Sequence, residues 1–346
     1  MILRALALGL SIALIAGCYS APSRQTQPPS NPSTDIGRFV ADRQPWTFKG
    51  DRGWAYYTPN SIIRTTSTDR KILERLPPFV ELSILHYQSD ITRLPRPAQP
   101  IETYFFDTRN QWETLTRSLM GKRAGVYLSI ERGGYSAKQI GVFYDIGPKD
   151  SFVICAHEGW HQYSHSTFKD PMPVWLDEGV ACMMEGFRWD PQFPDHPRFM
   201  AWANTERFDQ LRDAYNSDAL MPIHSLLTLR PQDLIIAPTG QPTALIYYAQ
   251  VWALIHFLNE GEGGRYSSTL EQILQDIAIG NFRNKLSPND LRKFNTRRIG
   301  SGTLLSFLPK GTTLQQLDLE YQRFVAQIVR VGSRNKIVMG KSPITR

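Results

Sequence analysis

Apolar residues recur along the first half of the chain with two spacings, which predict helices and strands. At helical spacing they cover residues 69–88, where two adjacent prolines are expected to bend or interrupt the helix. A second helix is predicted from a capping residue, Thr108 or Asn110, to Gly121. Short apolar runs bounded by polar or turn residues predict strands at residues 54–59, 100–107, 124–130 and 140–146.

The last two of these strands are expected to pair as antiparallel neighbours, and a further helix follows them, capped by Asp150 or Ser151. Beyond it the pattern is mostly helical, with helices predicted at residues 199–215, 243–258, 267–279, 288–295 and 312–331. The expected fold class is α+β: a mixed β-sheet subdomain with helices over residues 46–150, then a mostly helical part over residues 151–332. The polar residues 333–346 are expected to fray.

The N-terminal residues have the pattern of an export signal. One positive charge precedes an apolar run from Ala5 to Ala16, which is too short for a bilayer-spanning helix of roughly 20 residues. The run ends in small residues before Cys18 and resembles the bacterial lipobox, in which the cysteine is lipidated. That resemblance implies a signal peptide over residues 1–17 and a lipid anchor at Cys18 in the cell envelope, on the outer membrane if there is one. A plain signal peptide with an incidental cysteine is the alternative.

Composition places the rest of the chain among exported globular proteins. Residues 18–45 are predicted to be the lipidated cysteine and a disordered tether, because Pro, Ser, Thr, Gln and Asn dominate residues 20–35 and bury little apolar surface. Structure is expected to begin between Phe39 and Trp46. The formal charge is +7, but the basic residues are scattered, so nucleic-acid binding is not expected. Cys155 and Cys182 form either a disulfide, as an oxidising compartment allows, or two small buried thiols.

Residues 157–161 read HEGWH, which combines two histidines and a glutamate at the spacing of a zinc site. On a helix, positions i and i+4 lie one above the other, so His157 and His161 can direct ring nitrogens at one ion. Glu158 lies about 100° around the helix, where it can reach a water on the ion without being a ligand. Because a catalytic zinc takes three protein ligands and a water, the motif predicts one Zn²⁺ per chain with Glu158 as general base.

The third ligand is indicated by WLDEG at residues 175–179. Here the chain resembles the gluzincin peptidases, in which HExxH is followed by a second helix that carries a glutamate ligand. The resemblance implies that Glu178 is the third zinc ligand, and it extends distantly to the aminopeptidase N family, which has a further glutamate at the position of Glu185. The interval between His161 and Glu178 is two residues shorter than in that family, and its motif for a free amino terminus is missing. An endopeptidase-like activity is therefore expected.

Bacterial peptidase-MA-like domains, many of them in lipoproteins of uncharacterised function, resemble residues 100–260 more closely. They share the layout HExxHQ followed by PxWLxEGxA. Metzincins are excluded because position 167, where they have a third histidine, is Thr167. The resemblance implies a membrane-anchored, exported zinc metallopeptidase that acts on a peptide or protein substrate. Two alternatives stay open: a surface or scaffold lipoprotein without turnover, and a zinc hydrolase of cell-wall peptides.

Several side chains near the motif have two possible roles. Asp177 and Glu185 are predicted either to hold the outer N–H of a ligand histidine or to be a helix cap and a solvated glutamate. His165 lies about 6 Å farther along the helix than the second histidine, so a place at the helix end or the surface is expected. Resemblance to a tyrosine of the aminopeptidase N family implies that Tyr248 stabilises the oxyanion, and Tyr247 competes for that role.

Three further expectations concern packing and substrate binding. The strand at residues 140–146 is expected to be a sheet edge that pairs with an extended peptide substrate. Gly159 costs about 1 kcal/mol in a helix interior, so its missing side chain is expected to admit a neighbouring element. His256 is expected to pack in the core.

Overall fold

A six-stranded mixed sheet with helices on both faces, followed by a mostly helical second half, makes up the described part of the chain, residues 42–137, 139–235 and 243–344 of a computed structural model. The predicted signal peptide, Cys18 and most of the tether lie outside these residues. Among the described helices, none has the length and apolar character needed to cross a membrane. The predicted α+β class is confirmed.

The sheet has the strand order β1-β2-β3-β4-β6-β5. Its strands are β1 (Asp42–Phe48), β2 (Asp51–Tyr57), β3 (Ser61–Thr65), β4 (Ile101–Phe106), β5 (Gly134–Ala137) and β6 (Ile140–Tyr144). Strands β3, β4 and β6 run parallel to one another, while β1, β2 and β5 are joined to the sheet by antiparallel pairing. The two edge strands of the sheet are therefore β1 and β5.

Helices cover both faces of this sheet. The first four are α1 (Arg70–Tyr87), α2 (Arg109–Met120), α3 (Ala124–Leu128) and the motif helix α4 (Asp150–Thr167). Successive strand residues point to opposite faces, so Phe105 packs with residues of α1 and α4, whereas Phe106 packs with Trp112 of α2. The motif helix therefore lies on the same face of the sheet as α1.

The second half is helical apart from the small hairpin of β7 (Phe187–Trp189) and β8 (Pro197–Phe199). Its helices are α5 (Val174–Met184), α6 (Thr205–Asn216), α7 (Ile223–Thr228), α8 (Pro231–Ile235), α9 (Thr243–Glu260), α10 (Ser267–Ile279), α11 (Pro288–Arg297), α12 (Gly302–Leu305), α13 (Leu314–Ile328) and α14 (Ser333–Val338). Helix α5 packs so closely against α9 that a Cβ at Gly179 would lie 2.8 Å from Val251 O. Only glycine allows that approach.

Two predicted helices have the expected ends. Thr108, rather than Asn110, caps α2 through a capping box with Gln111, and Gly121 follows its last residue. Helix α10 covers the same residues as predicted. Helix α1 passes through its two prolines as one continuous element.

The prediction of a strand at residues 124–130 is wrong, because this segment contains the helix α3. It continues from α2 through a 3-10 turn, and only Ala124 of α3 is buried, while Val126 is 74% exposed. A short apolar run does not by itself distinguish strand from helix. The antiparallel partner of β6 is β5, which lies in the segment between the two predicted strands.

That pairing also corrects the predicted substrate edge. Strand β6, expected to be an edge at residues 140–146, lies inside the sheet between β4 and β5. Its backbone groups are used by both neighbours, so it cannot accept a further strand. The edge beside the motif helix belongs to β5.

The N-terminal end of the described region begins where structure was expected, and the C-terminal end is more ordered than predicted. Strand β1 begins at Asp42, between Phe39 and Trp46, and pairs with β2 along its whole length, so its first residues belong to the sheet although they fall within the tether range 18–45. The segment 333–346, predicted to fray, contains α14, whose Ile337 is fully buried. Arg188 further holds this helix through its Nη2, which donates to Val338 O at 3.1 Å.

The starts of two helices also differ from the prediction. Neither Asp150 nor Ser151 caps α4; the Ser151 hydroxyl instead accepts from Ile146 N and donates to Asp145, joining the helix to the preceding loop. Helix α6 begins at Thr205 rather than at residue 199, because Phe199 is the last residue of β8 and the Asn204 side chain caps the helix. Cys155 and Cys182 are free and buried, so the buried-thiol alternative is the observed one.

Candidate metal centre

Helices α4 and α5 bring the two histidines and the glutamate of the motifs together. His157 and His161 lie one turn apart on α4 and face α5, and Glu178 is in the first part of α5. Glu178 Oε2 is 3.4 Å from His157 Nε2 and 3.5 Å from His161 Nε2. Three potential ligand atoms therefore converge on one point.

This spacing fits a tetrahedral metal ion. Zinc–ligand bonds of about 2.0–2.1 Å at tetrahedral angles separate neighbouring ligand atoms by about 3.4 Å. The two Nε2–Oε2 distances agree with that separation, and the three residues form a group that could hold a metal ion. The donor set of two imidazoles and one carboxylate leaves a fourth position free, as a catalytic zinc requires.

The outer nitrogen of each histidine is held by a different carboxylate. His157 Nδ1 lies 2.8 Å from Glu185 Oε1, and His161 Nδ1 lies 2.9 Å from Asp177 Oδ1. Asp177 is 3% exposed and Glu185 is 5% exposed, so neither is a solvated residue. A carboxylate at Nδ1 fixes a proton there, so that in the neutral, metal-binding ring it is Nε2 that carries the lone pair.

Two arginines that the sequence did not single out hold these carboxylates in turn. Arg298 Nη2 lies 2.5 Å from Asp177 Oδ2. Arg207 contacts both oxygens of Glu185, with Nε 3.1 Å from Oε2 and Nη2 2.8 Å from Oε1. Asn204 Nδ2 donates to the same carboxylate at 2.6 Å. No local pattern marks these side chains, because they reach the site only through the packing of α6 and its N-cap and of the residue that follows α11.

Buried opposite charges shift the pKa values of the cluster strongly. Burial alone would lower the pKa of His161, but Asp177 and Glu178 outweigh it and raise the pKa to about 10. Burial also lowers the pKa of His157, but hydrogen bonds with Cys182, Glu178 and Glu185 outweigh it and hold the pKa well above its usual value. Burial raises the pKa values of Glu178 and Glu185, but the histidines, and Arg207 at Glu185, outweigh it and lower both to about 2. The cluster therefore strongly favours positive charge on its histidines, which a divalent cation also supplies.

Glu158 lies in the cleft beside the edge of the sheet. The backbone N–H of Ser136 in β5 donates to its Oε2 at 2.8 Å. This bond orients the carboxylate along the wall of a cleft of about 630 Å³, which the two histidines, Glu178 and Tyr248 also line. A volume of this size is typical of ligand sites.

The structure distinguishes the two adjacent tyrosines of α9. Tyr248 lines the cleft, and its ring stands edge-on to His157 with the centroids 6.1 Å apart. Tyr247 is fully buried, and its hydroxyl lies 3.4 Å from Leu226 O. Tyr248 is therefore the tyrosine that faces the candidate site.

His165 lies at the far end of the stripe, near the last turn of α4. Its Nε2 is 3.2 Å from Asp177 Oδ2, and its side chain is 35% exposed. With His161 and Asp177 it forms a second group with metal-ligand spacing. The guanidinium of Arg298 already occupies the same oxygen of Asp177, which disfavours a cation there.

Two contacts fix α4 against its neighbours. The Tyr87 hydroxyl of α1 donates to Ala156 O at 2.7 Å, in the space that Gly159 leaves open. Gln162, the residue after the motif, donates through Nε2 to Glu102 O and Gln139 O at 2.6 and 2.9 Å. The helix that carries both histidines is thus tied to α1 and to the sheet.

His256, as expected, is buried and stacks on Trp202.

Residues 152–278 are similar to the family described as a protein of unknown function (DUF1570). No curated protein matches the chain significantly. The matched segment runs from α4 to α10, so it contains both histidines, Glu178, Arg207 and Tyr248 but not Arg298.

Proposed function

We propose that the chain is a zinc-dependent hydrolase of peptide bonds, of the gluzincin type, with one Zn²⁺ per chain. The supporting observation is the convergence of His157 Nε2 and His161 Nε2 on Glu178 Oε2 at the separation of tetrahedral ligands. The carboxylates behind both Nδ1 atoms add to this support, because zinc-binding histidines are usually held in this way.

Held by His157, His161 and Glu178, a zinc ion would supply the Lewis acid that polarises the scissile carbonyl and lowers the pKa of the attacking water. Glu158 is the general base: its carboxylate accepts a proton from that water and returns it to the leaving amine. The Ser136 N–H holds one oxygen of Glu158, which keeps the carboxylate oriented towards the cleft. The Tyr248 hydroxyl donates a hydrogen bond to the developing oxyanion, a contribution of roughly 3–4 kcal/mol in other hydrolases.

An extended peptide is the substrate that the cleft favours. Strand β5 is a sheet edge, and two of its residues, Gly134 and Ser136, line the cleft beside Glu158. A peptide that pairs with backbone groups of β5 other than the Ser136 N–H, which Glu158 occupies, would place its backbone next to the histidines without any reading of its sequence. This assigns to β5 the role that the sequence pattern suggested for residues 140–146.

Export and anchoring remain part of the proposal on the sequence alone. The apolar run and the small residues before Cys18 support a lipid anchor that holds the enzyme at the cell envelope. Globomycin treatment should cause the diacylated, uncleaved precursor to accumulate. If the precursor is processed normally under globomycin, Cys18 is not a lipidation site.

The hydrolase proposal is tested with the purified protein and a proteome-derived peptide library. We expect one zinc per chain in the wild type and none in His157→Ala or Glu178→Ala. Cleavage should disappear after chelation and return when zinc is added back. A folded wild type that binds no zinc and cleaves nothing would instead support a scaffold role. Cleavage of peptidoglycan fragments alone would restrict the substrate to cell-wall peptides.

A further inference from the structure

Arg207 of α6 touches two functional parts of the site at once. Its side chain is 13% exposed. One side of the guanidinium contacts Glu185, and its carbon lies 5.2 Å from the centroid of the Tyr248 ring. A third contact, from Nη1 to Gln210 Oε1 at 3.1 Å, anchors the group within its own helix. The guanidinium is therefore held from three sides.

The contact with Glu185 is bidentate and leads to a histidine. Nε and Nη2 of Arg207 each contact one carboxylate oxygen, at 3.1 and 2.8 Å. The oxygen Oε1 also lies 2.8 Å from His157 Nδ1. Because the fork of an arginine matches a carboxylate in plane and spacing, it fixes the rotation of the Glu185 carboxylate. That rotation in turn fixes the plane of the His157 ring.

The contact with Tyr248 leads to the other side of the cleft. A guanidinium within about 6 Å of an aromatic centroid is attracted to the ring face. Tyr248 is only partly covered by the core, and its ring stands edge-on to His157 at 6.1 Å. The arginine thus supports the ring from one side while the imidazole abuts it from another.

Arg298 offers a built-in comparison. It holds Asp177 through Nη2 and Met172 O through Nε, both at 2.5 Å, and Asp177 holds His161. Within the described residues, Arg298 has no aromatic ring at cation–π distance. Like Arg207, it contacts a carboxylate that holds a histidine, though through one nitrogen, and it has no contact with Tyr248.

We propose that Arg207 is a positioning residue that couples the metal ligand His157 to the oxyanion donor Tyr248. The inference rests on the proposed function, since it assigns roles to the zinc site and to the tyrosine. It adds that metal affinity and turnover both depend on this one side chain. Arg298 affects metal affinity without acting through Tyr248.

The test compares Arg207→Lys and Arg298→Lys, each alone and combined with Tyr248→Phe, in the full chain. Zinc dissociation constants are measured by competition with a chromogenic chelator, and kcat is measured with one cleaved peptide at saturating zinc. We expect both lysine variants to weaken zinc binding by about 10-fold or more. Tyr248→Phe alone should leave zinc affinity unchanged.

The kcat values show whether Arg207 acts through Tyr248. Arg207→Lys should lower kcat about tenfold in the wild-type background and less than about twofold in the Tyr248→Phe background, because the tyrosine is no longer there to be positioned. The effect of Arg298→Lys on kcat should be the same in both backgrounds. Arg207→Gln, which removes the charge and the fork, replaces Arg207→Lys if thermal unfolding shows that the lysine variant does not fold.

The proposal is overturned if the Arg207 variant binds zinc as tightly as the wild type. It is also overturned if the Arg207 and Tyr248 effects on kcat simply multiply, since then no coupling exists. Failure of the wild type itself to bind zinc or to cleave peptides is a different result, which removes the proposed function before any variant is compared.

Discussion

The hydroxyl of Tyr87 lies against Gly159, at the point where a side chain on residue 159 would begin. A Cβ built there would be 2.7 Å from Tyr87 Oη, well inside van der Waals contact. The same hydroxyl donates to Ala156 O at 2.7 Å, so it is not free to move away. The glycine inside HEGWH thus reflects the packing of α1 on α4.

Gly159→Ala should therefore destabilise the protein although alanine is the better helix former. Overpacking costs about 1–3 kcal/mol, and the gain in helix propensity is about 1 kcal/mol, so we expect a net loss of about 1 kcal/mol in the free energy of unfolding. Urea denaturation measures it. In a Tyr87→Phe background, which removes the hydroxyl, the same substitution should be neutral or stabilising. An equal loss in both backgrounds would contradict this account of Gly159.

Tyr248→Phe and Tyr247→Phe form a matched pair on α9. Loss of an oxyanion donor typically lowers kcat by about 10²–10³-fold, so Tyr248→Phe should do so with little change in KM. Tyr247 has its hydroxyl near Leu226 O, away from the cleft, and its variant should keep kcat within about twofold. Steady-state kinetics with one peptide measures both. Similar kcat values for the two variants would remove Tyr248 from the mechanism.

Asp177→Asn should weaken zinc binding without unfolding the protein. The asparagine keeps the shape of the side chain but loses the charge that His161 Nδ1 and Arg298 both face. Loss of such an outer partner typically costs about 10–100-fold in metal affinity. Asp195→Asn, at a half-exposed carboxylate next to His196, is the control and should leave the zinc dissociation constant unchanged. Unaltered affinity in Asp177→Asn would argue against its role.

The burial of His256 leads us to expect a lower free energy of unfolding in mild acid. Burial lowers its pKa to about 3, and its Nε2 has no hydrogen-bond partner among the described residues. The unfolded chain, with a pKa near 6.5, takes up the proton first. Protonation of His256 therefore does not reduce the free energy of unfolding above about pH 6.5. Between about pH 6.5 and pH 3 it reduces this free energy by up to about 1.4 kcal/mol per pH unit.

The measurement is the free energy of unfolding at pH 7.5 and pH 5 in the wild type and in His256→Phe. Between these values the wild type should lose about 2 kcal/mol more than the variant. Burial also lowers the pKa of His86, but that residue is present in both proteins and cancels in the comparison. Parallel losses in the two proteins would mean that His256 is not kept neutral by burial.

The parts of the site that sequence reasoning found are those encoded within one helix. His157 and His161 follow from helical spacing, and Glu178 from a short motif at the start of the next helix. Arg207 and Arg298 could not be found in this way, because their positions depend on how α6 and the end of α11 pack. The same limit explains the misplaced sheet edge, since β5 has only four residues and lies in a turn-like stretch.

The central claim is that Glu158 acts on a water at a zinc site built by His157, His161 and Glu178. Its most direct test is kcat/KM for peptide cleavage by Glu158→Gln and wild type at equal zinc content, with both proteins shown to bind one zinc per chain. Because the amide cannot accept the proton, we expect full zinc content and a fall in kcat/KM of at least about 10²-fold. Equal kcat/KM in the two zinc-loaded proteins would contradict the mechanism.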